Sequence, residues 1–142
     1  MSRVINTDST GKNRNQLMRT CAELLRHLSQ KPAIDDDAKD MAAYLVICLQ
    51  RIEEGIDESA SVWEKRDYWI KAEQLRQRWA WVGNAAARLE TLIRKDAWDR
   101  LPELLTGLFS HFAEVKITRL TRSADLWQGA YRELLRHDRQ HG

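Results

Sequence analysis

DDAKDMAAYLVICLQRIEEGIDESASVWEK, residues 36–65, is the stretch whose reading decides the fold. Ala38, Met41, Ala42, Leu45, Leu49, Ile52, Ile56, Ala60 and Trp63 recur at three- and four-residue steps without losing phase. That period belongs to one face of an α-helix. Acidic Asp35 and Asp36 at its start suit the free N–H groups and the positive end of the helix dipole. The spacing predicts one helix about 45 Å long, with a kink near Gly55–Ser61 where glycine and serine weaken it. Within it, Met41–Leu49 is apolar round most of the helix circumference. Such a segment is central in its fold or covered by another chain, and it is far shorter than the ~20 residues of a membrane span.

Working outward, the same period continues over 68–95 through Ala72, Leu75, Trp79, Val82, Ala86, Leu89 and Ile93, with Asp67 as the expected N-cap. A short connection makes these two helices a long antiparallel hairpin. A helix from Asn13 to Gln30 is stopped by Lys31-Pro32. A fourth is expected from Asp99 or Pro102 to Arg119, and a fifth from Ser123 as N-cap to His137. No segment alternates apolar and polar residues long enough for a strand. The expected fold is therefore all-α, an antiparallel four- or five-helix bundle with a long central helical hairpin. It forms one domain over 13–137, flanked by a flexible arm, 1–12, and a flexible tail, 138–142.

The helix over 68–95 carries a second apolar edge, Ile70, Trp81, Ala85 and Leu92, about 120° round from the first at 3.6 residues per turn. One stripe is enough for a bundle, so this edge is either buried because the helix is central in the fold, or it is the candidate interface, for a protein partner or a second copy. Six tryptophans in 142 residues are expected mainly to fill the core, with one or two at an interface.

Cys21 and Cys48 both fall on apolar stripes, form no CxxC site and read as reduced core residues, which places the chain in the cytoplasm. The net charge of +2 is distributed unevenly: +4 over 1–34, −6 over 35–58, +3 over 59–100 and +1 over 101–142. Attraction between neighbouring helices is the simple explanation, and a basic face for an anionic partner is the other.

Chemical motifs are sparse. Glu23…His27 and His111…Glu114 read as surface pairs, because a di-iron bundle needs repeated Glu-x-x-His and none occurs. Glu54/Asp57 and Glu64/Asp67 read as a solvated acidic face. No metal site, cofactor or membrane partner is expected. Lys116, Arg119 and Arg122 follow at three-residue steps and are candidate anion-binding residues, which would serve the sequence-independent part of nucleic-acid binding. Arg132 and His137 have the spacing of an Arg followed four to six residues later by a His. This resembles the signature of HEPN-type ribonucleases, which are small helical bundles that often dimerise. The resemblance implies His137 as general acid or base and Arg132 as stabiliser of phosphate charge. The leading expectation remains a non-enzymatic helical interaction or scaffold module, possibly a homodimer. The alternative is a nucleic-acid-binding or RNA-cleaving bundle.

Overall fold

The computed structural model describes residues 7–141, and among them the chain is all-helical, with no strand. Six α-helices follow in order: α1 (Thr7–Gln30), α2 (Asp36–Lys65), α3 (Trp69–Arg78), α4 (Ala80–Arg94), α5 (Leu101–Phe109) and α6 (Ala130–His141). Single 3-10 turns lie at Trp98–Arg100, Ser110–Phe112 and Ala124–Leu126. They form a helical bundle, as the periodicity predicts. No described helix is long and apolar enough to cross a membrane.

The long helix sits at the centre. α2 packs against α1, α3, α4 and α6, which is why Met41–Leu49 is apolar on several sides. Its first residues are fixed by Asp35, whose carboxylate accepts the Ala38 N–H at 2.8 Å. The helix is continuous through Gly55–Ser61. The core joins Leu24 and Leu25 of α1, Leu45, Leu49 and Ile52 of α2, Leu89 and Ile93 of α4, and Leu101 of α5, all essentially out of contact with water. Cys21 and Cys48 are free thiols buried in the same core.

Several expected features move. α1 begins at Thr7, so the arm expected over 1–12 is helical from there, and residues 1–6 lie outside the described residues. The helix expected over 68–95 breaks at Trp79, whose backbone leaves helical values (φ −105°, ψ 9°). Residues two apart lie about 200° round a regular helix and do not face each other. The break allows the Trp79 and Trp81 rings to stack, with centroids 6.1 Å apart. Gly83, expected to weaken the middle, instead lies inside α4, close against the Glu53 side chain. Asp67 is not an N-cap. It adopts a left-handed conformation (φ 65°) in the tight turn between α2 and α3, a region that Asp tolerates better than most residues.

The largest departure is at the C-terminal end. α5 stops at Phe109 rather than Arg119, and the last helix starts at Ala130 rather than Ser123. The backbone between them is tied to other helices. Glu23 of α1 takes the N–H groups of Thr121 and Arg122 at 2.7 and 2.9 Å. Asp40 of α2 takes the N–H groups of Gly129 and Tyr131 at 3.1 and 3.0 Å, capping the start of α6 from outside it. Gly129 sits at φ 81°, a conformation that favours glycine. Trp127 is buried against this junction and donates its indole N–H to Asp37 at 2.8 Å. The acidic start of α2 thus serves as acceptor for N–H groups more than as a partner for basic helices. The backbone of α6 is helical through His141, where a tail was expected, and Gly142 lies outside the described residues.

Candidate functional site

A groove of about 870 Å³ lies between α4 and α5. Helical spacing builds one wall: Trp81, Ala85, Arg88, Leu92 and Lys95 follow at three- and four-residue steps, so they share a face of α4. The opposite wall comes from α5 and the turn after it, through Leu104, Gly107, Leu108 and His111. Ala85, Leu92 and Leu108 are buried and form the floor. Ala85 and Gly107 are small, which leaves room for another backbone to approach.

Three cations line the rim: Arg88 and Lys95 on the α4 side and Arg100 before α5. All three are exposed, and none makes an ion pair among the described residues. Glu103 is the one carboxylate in the lining. The groove therefore combines an apolar floor with a positive edge.

One end is closed by an aromatic column. The His111 ring lies flat on Trp81, with centroids 4.0 Å apart and planes within 4°. Phe112 meets Trp81 edge-on at 5.6 Å, Trp79 stacks behind it, and the Arg14 guanidinium lies 5.4 Å from the centre of the Trp79 ring. Burial lowers the Arg14 pKa from its ordinary value. Each ring restricts its neighbours, so Trp81 is held as a fixed end wall.

Of the four residues expected to form an interface edge, Trp81, Ala85 and Leu92 come together in this groove. Ala85 and Leu92 are its buried floor, not an exposed edge. Ile70 does not join them. It lies on α3, 75% exposed, because the break at Trp79 resets the helical phase between Ile70 and Trp81. The tryptophans as a group are less buried than expected: Trp127 alone is buried, and Trp69 is exposed.

Lys116, Arg119 and Arg122 lie in irregular backbone, not along a helix. The Arg122 guanidinium turns inward to Thr20 (3.0 Å) and to the Gln16 side chain (2.8 Å). The Lys116 and Arg119 carbonyls accept from Arg19, and their side chains stay exposed. Arg132 and His137 are both exposed on α6. Five residues apart, they project about 140° from each other round the helix axis.

Sequence reasoning missed two features. The cationic rim was readable, since Arg88 and Lys95 keep the same spacing as Trp81, Ala85 and Leu92. Glu23 was not, because its spacing to His27 suggests a surface pair, whereas the structure buries it completely. Burial pushes its pKa up. The Arg122 N–H, the Thr121 hydroxyl and N–H, and the Arg19 guanidinium outweigh that and hold it at about 2. His111 and Glu114 are both exposed, and the His111 ring is stacked on Trp81. Among the carboxylates, Glu64 and Asp57 both grip Arg76. Among the described residues, no group of three or more His, Cys, Asp or Glu side chains is placed to hold a metal ion.

In comparisons with known proteins, no family, no curated protein and no solved structure matches this chain.

Proposed function

We propose that this chain is a non-enzymatic helical interaction module that receives an acidic amphipathic helix of a partner protein in the α4–α5 groove. The observation that carries the reading is the apolar floor set beside three exposed cations, Arg88, Lys95 and Arg100. A groove between helices is a recurrent seat for an amphipathic helix, whose apolar face supplies the anchors. From Trp81 to Lys95, α4 rises about 21 Å, room for about four turns of a partner helix. The cations select a partner with Asp or Glu beside its apolar stripe and speed its approach.

The test is a titration of the isotope-labelled protein with two designed helical peptides. They share one apolar face and carry either acidic or basic flanks. The acidic peptide is expected to shift the Trp81 indole N–H together with Ala85 and Leu92. Its affinity should fall by at least about tenfold in Arg88→Glu with Lys95→Glu, and the basic peptide should bind much more weakly. Failure of both peptides to perturb the groove would sink the reading. If the free protein proves to be a dimer that Trp81→Glu splits, the occupant is a second copy and the module is a homodimer. The nucleic-acid reading has less support, because Arg122 is engaged with α1 and Arg132 and His137 diverge.

A further inference from the structure

The tip of the α2–α3 hairpin, at the other surface of interest, has no place in the groove. Tyr68, Trp69 and Ile70 follow one another there and are 53%, 59% and 75% exposed. They make up half of the six large apolar residues exposed among the described residues. α3 leans on α2 with only a short seam to α4, and it buries Ala72 alone. Tyr68 precedes α3 and Trp69 and Ile70 open it, so three consecutive apolar side chains are exposed where the helix begins, and an exposed apolar patch marks a contact.

The charges round the patch indicate what it touches. Lys65, Arg66 and Lys71 are exposed and make no ion pair among the described residues. Glu64 is taken up by Arg76. Asp67 is then the one unpaired carboxylate in the turn. The Lys71 ammonium lies 5.7 Å from the centres of both the Trp63 and Tyr68 rings, so cation and aromatic groups share one small surface.

We propose that this tip docks on an anionic lipid surface, with Trp69 and Ile70 entering the headgroup–acyl boundary and Lys65, Arg66 and Lys71 facing the lipid phosphates. Trp and Tyr rings favour that boundary, and Lys and Arg stems lie along it with their charges outward. Basic residues are drawn to anionic leaflets. A second copy is disfavoured, because a two-fold contact at the tip would bring two sets of the same three cations together. Neither the apolar residues nor the charges hold alone; stable attachment takes both signals.

The experiment is co-sedimentation of the full chain with vesicles of phosphatidylcholine alone and of phosphatidylcholine with phosphatidylglycerol. Binding is expected to the anionic vesicles only and should weaken with added salt. Trp69→Ala with Ile70→Ser should weaken it by at least about tenfold, and so should Lys65→Glu with Lys71→Glu. All four positions are exposed, and circular dichroism verifies that the variants fold. No sedimentation with the anionic vesicles would overturn the proposal and leave a protein pocket as the remaining partner of the tip. Equal sedimentation of wild type and both variants would overturn it as well.

Discussion

Glu23, on α1, accepts the backbone N–H of Thr121, 98 residues further along the chain, at 2.7 Å. Its second oxygen takes the Thr121 hydroxyl at 2.8 Å and Arg19 at 3.0 Å. The carboxylate is therefore a clasp between the first helix and the irregular segment after α5, and it stays ionised down to about pH 2. In the unfolded chain a glutamate titrates near ~4.3. A depressed folded pKa stabilises above the unfolded value and is lost as pH falls through the folded one. Stability should thus drop by about 3 kcal/mol between roughly pH 5 and pH 2, in addition to any contribution from other carboxylates. Denaturant unfolding at a series of pH values measures it.

Glu23→Gln removes the charge and leaves Arg19 and Arg122 facing a neutral amide. The expected cost at pH 7 is about 2–3 kcal/mol. The difference from wild type should shrink steadily as the pH is lowered toward 2. Hydrogen exchange should quicken first at Thr121 and Arg122, whose N–H groups lose their charged acceptor. A difference that stays constant with pH would show that the clasp is not ionic.

Gly83→Ala is expected to stabilise the protein. A Cβ at this position would overlap the Glu53 carboxylate, the far end of an exposed and flexible side chain that swings aside at small cost. Alanine gains about 1 kcal/mol over glycine in a helix interior. A rise in thermal midpoint of a few degrees is the expected readout for a domain of this size. A fall would mean that Glu53 is held in place.

The two left-handed aspartates should respond differently to glycine. Asp67 (φ 65°) makes no side-chain hydrogen bond among the described residues, so Asp67→Gly should relieve strain and stabilise by about 0.5–1 kcal/mol. Asp96 (φ 56°) accepts the Trp98 indole N–H at 2.6 Å. Asp96→Gly forfeits that bond and should be neutral or destabilising. Paired melting curves of the two variants test the contrast.

The central helix was legible because its stripe keeps phase for 30 residues and its N-cap is an aspartate at the expected place. The groove was half legible. Trp81, Ala85 and Leu92 share a face that counting alone reveals, but the count cannot detect a break made by two indoles stacking, and so it carried Ile70 along with them. The segment from Ala113 to Gly129 was illegible for a different reason. Leu126, Trp127, Ala130 and Leu134 keep a helical rhythm, yet the N–H groups of Thr121, Arg122, Gly129 and Tyr131 go to Glu23 and Asp40, carboxylates about 90 or more residues away in sequence. Local periodicity carries no information about such partners. Glu23 itself sits between apolar neighbours on α1, and only its distant donors distinguish it from a surface glutamate.

The break at Trp79 also gives the molecule an optical signature. Two indoles held 6.1 Å apart with their planes inclined by 27° are a fixed chiral pair of chromophores. Their transitions couple and split into a circular-dichroism couplet whose sign is set by the handedness of the pair. A regular helix through residue 79 would put the rings on opposite sides and extinguish it. The couplet therefore reports on the junction of α3 and α4 separately from helix content, and whatever straightens that junction will be visible without a label.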